Sequence, residues 1–362
     1  MPSSNSPGSP LATALAARMQ PGALCESIEH KPGWLHCYAC GHDCRIPPGQ
    51  SGICKVRANV AGTLQVPGGY VGAVQVDPVE KKPFFHVLPG SAALSFGMLG
   101  CDYHCAYCQN WITSQALRDP AAVAPVTDIS ASGLADLAAS RGAPIVVSTY
   151  NEPLITSEWA VEVFRAAREH GALTGFVSNG NATRRALAYL KPWTDLYKVD
   201  LKAFSDRSYR QLGGVLKTVL QTIETLIAMK FWVEVVTLVV PGFNDSDDEL
   251  GAIARFLAGV SVDIPWHVTA FHQDYRMRDP DNTSVATLAR ALALGRDAGL
   301  HFVYAGNLPG TIEHAEDTRC PGCAALLIER SGYRILANRL RDSAHCPDCG
   351  RRIPGVWTRP PA

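Results

Sequence analysis

Apolar runs rich in β-branched and aromatic residues recur along the middle of the chain. They alternate with stretches whose apolar positions fall three and four residues apart. The runs are LSFGML (94–99), PIVVSTY (144–150), TGFVSN (174–179), LYKVDL (196–201), FWVEVVTLVV (231–240), WHVTAF (266–271) and HFVYAG (301–306). Each is short and fits a buried strand. Between them lie amphipathic segments such as SEWAVEVFRAAREH, KTVLQTIETLIAMK and SVATLARALALGRDAG, which fit surface helices. Strand followed by helix, repeated at roughly 30 residues per unit, predicts βα units and a parallel sheet.

The residues just beyond each strand sharpen this picture. The first run leads into Gly100 and three cysteines, the second into Asn151-Glu152-Pro153, the third into Ser178-Asn179-Gly180. The fourth ends in Asp200-Leu201-Lys202, the fifth in Pro241-Gly242-Phe243-Asn244-Asp245, the sixth in Phe271-His272, the seventh in Gly306-Asn307. In parallel barrels the loops at the carboxyl ends of the strands converge on one mouth and carry the chemistry. One polar loop is an ordinary turn; seven in series, one bearing three cysteines, predict such a mouth.

Composition narrows the class. A chain of 362 residues with 47% hydrophobic and 18% charged residues fits one large α/β domain with small appendages. Lys+Arg and Asp+Glu both number 33, so charge gives no reason to expect nucleic acid or an anionic membrane as partner. No apolar run is long enough for a membrane span. The opening MPSSNSPGSP lacks the basic-then-apolar layout of an export signal and begins a disordered or weakly ordered lead-in over about residues 1–30, in which LATALAARMQ is a candidate short helix. A cytoplasmic protein is expected, and in a reducing compartment clustered thiols bind metal more often than they form disulfides.

Eleven of the twelve cysteines fall into three groups. Cys101, Cys105 and Cys108 have the spacing C-x3-C-x2-C. Three thiolates from one short loop can hold three irons of a 4Fe–4S cubane and leave the fourth open to a small molecule. A zinc site completed by His104, or three unligated thiols, is the plainer alternative. Cys320, Cys323, Cys346 and Cys349 form two CxxC knuckles flanking ALLIERSGYRILANRL, which reads as two strands around Ser331-Gly332. That is the layout of a zinc ribbon, with rubredoxin-like iron a minor alternative. Cys37, Cys40, Cys44 and Cys54 can close a structural zinc site, the slightly favoured reading, or hold a second iron–sulfur cluster. Cys25 stands alone as a free thiol, and His36, His42 and His345 read as bystanders.

The central spacing, with Tyr107 immediately before its third cysteine, resembles the radical S-adenosylmethionine (SAM) superfamily. The resemblance implies a partial (β/α)6-type, TIM-like barrel over about 91–315. A Cys-rich amino-terminal segment (31–90) and a zinc-ribbon-like module (316–362) flank it. It implies an enzyme whose 4Fe–4S cluster cleaves SAM to a 5′-deoxyadenosyl radical that abstracts hydrogen, with a flavodoxin or ferredoxin as reductant. Residue by residue, it places Tyr107, Asn151, Glu152, Ser178, Asn179, Asp200, Lys202, Val240 and His272 near SAM. Tyr150-Asn151 departs from the Gly-Gly that usually precedes Glu-Pro. CYACGHDCRIPPGQSGICKVR, VDPVEKKPFFHVLPGS, GCDYHCAYCQNW, STYNEP, DLKAF, LVVPGFND, FHQDYRM and the CPGC…CPDCG tail further resemble the radical enzyme of the AmmeMemoRadiSam system, related to pyruvate formate-lyase activating enzyme. Memo-like and AMMECR1-like proteins are then candidate partners, and the substrate is a glycine of a partner protein or, alternatively, a small molecule or residue modified within a pathway linked to them; a non-enzymatic metal-binding interaction module, resting on the flanking cysteine groups, is the remaining alternative. In VDPVEKKPFFHVLPGS, Glu80, Lys81, Lys82 and His86 are candidates for the barrel mouth; a solvated charge run is the plainer reading.

Overall fold

The computed structural model describes residues 10–340 and 343–359. All seven apolar runs become strands of one eight-stranded sheet. Its strands are β1 (Ala73–Pro78), β2 (Ala92–Gly97), β3 (Ile145–Ser148), β4 (Leu173–Ser178), β5 (Leu196–Asp200), β6 (Trp232–Val239), β7 (Trp266–Ala270) and β8 (Val303–Gly306). They lie side by side in chain order, β2 to β8 parallel and β1 antiparallel to β2. Helices fill the crossovers, including Ala131–Ser140, Ser157–Glu169, Leu216–Ala228, Asp247–Val260 and Val285–Asp297. The result is an open βα barrel with β1 and β8 at its edges, matching the expected α/β class.

The helices start where the sequence offers an N-cap. Ser130, Thr183, Ser205, Ser246 and Ser284 each accept a hydrogen bond from the backbone N–H three residues on, satisfying a donor the helix leaves free. The helical faces then meet the outward row of each strand. Strand side chains alternate faces, so Tyr197 and Val199 of β5, Val233 and Val235 of β6, and Trp266 and Val268 of β7 share one core with helix residues such as Trp159, Phe164, Ile223 and Leu257.

The inward row divides the lumen in two. Toward the amino ends, Ala93, Ile145, Val147, Leu173 and Leu196 pack around Val79, Phe84, Val87 and Leu88, so the segment between β1 and β2 plugs the barrel floor. Toward the carboxyl ends the inward row turns polar and bounds a cavity.

Two appendages flank the barrel. Residues expected as a disordered or weakly ordered lead-in carry structure from Pro10 onward: a helix spans Pro10–Ala16, Met19–Pro21 pairs with Thr63–Pro67, and Cys25–Ser27 pairs with Leu35–Cys37. The pairing buries Leu24, Leu35, Leu64 and Val66 together, a packing that composition alone does not reveal. The first nine residues of that lead-in lie outside the described residues. The Arg57 guanidinium grips the buried Glu158 carboxylate through two bonds of 2.7 Å, fastening this unit to the barrel. At the other end, Leu326–Ser331 and Arg334–Asn338 form the expected hairpin, with Thr318–Arg319 as a third strand.

The carboxyl-terminal module docks on the floor plug. Arg330 Nη2 donates to Phe85 O at 2.7 Å, Leu88 N to Val356 O, and Val356 N to His86 O. His86 lies inside this joint. Its Nδ1 donates to Pro354 O at 2.7 Å and its Nε2 accepts from Tyr304 at 2.6 Å. Burial pushes its pKa down to about 4, so it is the neutral ring that sits there. Expected at the mouth, His86 therefore lies at the opposite end of the lumen. Glu80 is likewise buried, accepting from Gly90 N at 2.9 Å.

Candidate active site

The cavity at the mouth has a volume of about 390 Å³, within the range of small-molecule sites. Cys101, Cys105 and Cys108 line one side of it, with Tyr107; Glu152, Ser178, Asn179, Asp200 and Lys202 line another. Residues from four strand ends are thus brought together.

The cysteine loop is held by buried polar groups. Asp102 accepts from Asn179 Nδ2 at 2.7 Å and from Asn181 Nδ2 at 2.8 Å. Arg118 ties the carbonyls of Cys101 and Ile53 together, at 2.5 and 2.7 Å. Trp111 stacks on Tyr275 at 5.1 Å, and Arg276 N donates to Ala106 O, so the loop after β7 is bonded to the cysteine loop. Burial pushes all three thiols up, Cys105 to about 12. Lys202 and the Ser114 hydroxyl favour the thiolates, but burial outweighs them. A bound cation would tip the balance, and three soft sulfurs at one cavity wall suit an iron–sulfur cluster.

Glu152 caps the turn Pro153–Thr156 and accepts from Ser178 Oγ (2.8 Å), Asn179 N (2.7 Å) and Leu154 N (3.1 Å). Burial, with Asp102 nearby, still pushes its carboxyl up to about 8. A ligand ammonium is the partner such a group lacks. Across the cavity, Asp200 lies between two ammoniums, Lys198 Nζ and Lys202 Nζ (3.2 Å). Burial opposes the Asp200 charge, yet the two lysines hold it down at about 2. Against the same burial, Asp200 holds Lys202 well above its ordinary value, whereas burial pushes Lys198 down. Two lysines on one carboxylate leave a positive charge over, which suits a ligand carboxylate. Glu152 and this triad together match the two ends of an amino acid, so the donor set fits SAM.

The Asp200 and Lys202 side chains share one side, as their alternation allows. Lys198, two residues earlier on the same inward row, joins them without belonging to any of the expected site residues; strand parity is the signal that points to it. Thr269 and Asn307 also line the cavity. Asn151 does too, although its amide is engaged by Met98 N and Glu152 O. Val240 and His272 are not among the lining residues: Val240 is buried with its N–H on Asn244 Oδ1, and His272 is exposed.

The three cysteine groups differ in geometry. Cys320 Sγ lies 3.5 Å from Cys349 Sγ, and Cys323 Sγ 3.7 Å from Cys346 Sγ. Among the described residues, this is the group of three or more metal-ligating side chains whose ligand atoms all lie within 4.8 Å. A tetrahedral ion with bonds of about 2.3 Å to sulfur needs sulfurs about 3.8 Å apart, so these four fit one metal ion. In the amino-terminal unit, Cys37 accepts from Arg57 Nε at 3.3 Å. The strand register sets Cys25 and Cys44 on either side of Cys37, which brings the isolated cysteine of the sequence beside that group.

Three cysteines on the loop after the first parallel strand, opposite an acidic and a basic pocket, define a class of cluster-dependent enzyme. The chain belongs to the Radical SAM superfamily, whose family description matches residues 97–257. Membership implies a 4Fe–4S cluster and SAM. The chain is 33% identical over 322 residues to Uncharacterized protein MJ0808 of Methanocaldococcus jannaschii, covering 88% of this chain and 95% of that one. Pyruvate formate-lyase-activating enzyme of Staphylococcus aureus (strain USA300) is more distant, at 26% over 184 residues, 48% of this chain and 72% of the relative. Among solved structures, a radical SAM methyltransferase from Sphaerobacter thermophilus superposes with a TM-score of 0.47 and 16% identity, covering 60% of this chain and 67% of that one. No helix among the described residues is long and apolar enough to cross a membrane.

Proposed function

We propose that the chain is a radical SAM enzyme acting on a small molecule admitted to the mouth cavity. One observation carries this: the three cysteines, Glu152 and the Lys198–Asp200–Lys202 triad all face the same cavity. When bound, the cluster supplies one electron, taken from a flavodoxin or ferredoxin, that splits SAM into methionine and a 5′-deoxyadenosyl radical able to abstract hydrogen from the substrate. Cys101, Cys105 and Cys108 hold the cluster. Glu152 accepts from the SAM ammonium, and Lys202, steadied by Asp200, meets its carboxylate. Ser178 and Asn179 are on hand for its hydroxyls.

A small substrate is favoured over a protein loop because Tyr333, from the carboxyl-terminal hairpin, joins Lys81, Lys82 and Pro83 in lining the cavity. A second reading is abstraction from a partner's glycine, of the activating-enzyme type, supported by the similarity to pyruvate formate-lyase-activating enzyme. The motif resemblance to the AmmeMemoRadiSam type makes Memo-like and AMMECR1-like proteins the partners to try first, and a cytoplasmic setting suits the reductant. The carboxyl-terminal four cysteines are assigned zinc. The Cys37, Cys40, Cys44 and Cys54 group is assigned a further metal, zinc or a second cluster.

Anaerobic reconstitution with iron and sulfide, followed by assay of 5′-deoxyadenosine, tests the reading. About four irons per chain means one cubane, and about eight places another in the amino-terminal group. Absence of 5′-deoxyadenosine from an enzyme carrying its cluster defeats the proposal. A glycyl radical on an added partner, seen by electron paramagnetic resonance, selects the second reading.

A further inference from the structure

The cavity has a second basic wall that neither the cysteines nor the cofactor residues account for. Lys81 and Lys82 come after β1, Tyr150 after β3, and Tyr333 from the carboxyl-terminal hairpin; all four line the cavity. Lys81 Nζ and Lys82 Nζ both donate to Asp77, at 2.9 and 3.0 Å. As at Asp200, two ammoniums share one carboxylate and leave a positive charge over.

Lys82 is the informative member. It is only 5% exposed, and a buried lysine is costly unless paired. Asp77 and the Tyr150 hydroxyl (3.1 Å) take two of its three donors. The third remains for the cavity it lines. A surface ion pair accounts for exposed Lys81 but not for a second, buried lysine on the same carboxylate.

Tyr150 is held in place against its own backbone preference. Its φ is +67°, in the left-handed region, which costs a non-glycine residue roughly 1–2 kcal/mol. Thr113 Oγ1 fixes its carbonyl at 2.6 Å, and its hydroxyl meets Ser95 Oγ at 2.9 Å as well as Lys82. The strand beneath has Gly97, where a Cβ would meet Thr149 O at 2.2 Å. Strain retained at a cavity wall points to a placed functional group. Over the whole site, four lysines, Lys81, Lys82, Lys198 and Lys202, face three carboxylates: Glu152 and Asp200 in the lining and Asp77 behind it.

We infer that Lys81, Lys82 and Tyr333, with Tyr150 positioning Lys82, bind an oxyanion, a carboxylate or phosphate group, borne by the small-molecule substrate. The inference rests on the proposed radical chemistry for its meaning but not for its test. Lys82 supplies the buried charge, Lys81 a second charge at the rim, Tyr333 orients the anion, and Tyr150, its own O–H spent on Ser95 Oγ, positions the Lys82 ammonium.

The experiment uses the reconstituted full chain and two probes, malonate and inorganic phosphate, titrated calorimetrically at ionic strength matched with chloride. Saturable binding is expected for wild type. Lys81→Gln and Lys82→Gln should each weaken it by at least about tenfold, the scale of a charge-assisted hydrogen bond. Tyr333→Phe should weaken it less. Binding of malonate alone identifies a carboxylate substrate, and of phosphate alone a phosphorylated one. Failure of both probes to saturate wild type overturns the inference, as does unchanged affinity in Lys81→Gln, an exposed site at which folding is not at risk. SAM binding to wild type, by equilibrium dialysis, separates the two layers. SAM bound without an oxyanion defeats this inference alone, whereas an oxyanion bound without SAM defeats the radical reading and leaves the anion site standing.

Discussion

The floor and the mouth of the barrel are built from the same strands, on the same inward row, and they treat polar groups in opposite ways. At the floor, Arg330 donates to Thr318, whose hydroxyl meets Tyr304; Tyr304 donates to His86, and His86 to Pro354 O. Glu234 accepts from the N–H groups of Phe85 and His86 and pairs with His267. This chain of groups ends inside the protein. At the mouth, the Glu152 carboxyl is pushed up and four lysines outnumber three carboxylates, Asp77 included. A region whose polar groups are mostly paired with each other, Arg330 Nε and Glu80 Oε2 excepted, is a structural joint; one that holds a surplus of charge is waiting for a ligand.

If the two ends differ in this way, mouth variants lose function while floor variants lose stability. The largest effect is expected from Cys105→Ala, with 5′-deoxyadenosine formation at background and a denaturation midpoint close to wild type. A midpoint shift as large as that of a floor variant would break the comparison. Next, Phe85→Ala should cost about 3–5 kcal/mol in chemical denaturation, because it empties the space between Tyr304, His267 and Arg330.

The third prediction concerns pH. His86 has its pKa lowered in the fold, to about 4, so its contribution is complete above the unfolded value near 6.5. As pH falls from about 6.5 to 4 the unfolded chain takes the proton first, and about 3 kcal/mol is lost. Denaturation across that window should show a loss of about 3 kcal/mol in wild type relative to His86→Phe, read as the difference between the two pH profiles. The smallest effect is expected from Lys198→Met: SAM affinity, by equilibrium dialysis, should fall by about tenfold as Asp200 loses one of its two lysines, with little change in midpoint.

Much of the fold and site is legible from periodicity and spacing. Each apolar run marks a strand, the polar loops mark the mouth, and C-x3-C-x2-C points to the chemistry. Asp200 and Lys202 can be placed together because alternation is local. The features that escape depend on distant packing. Tyr333 reaches the cavity only because a hairpin more than 200 residues after the cysteines docks beside it. His86 and Lys82 lie four residues apart, yet the plug turns between them and sends one to each end of the lumen. Val240 and His272 sit beside strand ends in sequence, but Asn244 closes the turn after β6 over the Val240 N–H, and the loop after β7 carries His272 outward.

The alternation of rows along β5, β6 and β7 also bears on how such a protein can change. Residue 199 faces the helices, and residue 198 faces the lumen. An innovation at position 198, 236 or 269 alters what the cavity accepts and leaves the helix-bearing frame untouched, while one at 199, 235 or 268 disturbs the frame and leaves the chemistry alone. Specificity and architecture are therefore inherited on separate tracks, interleaved one residue apart, and new substrates can be explored without renegotiating the fold.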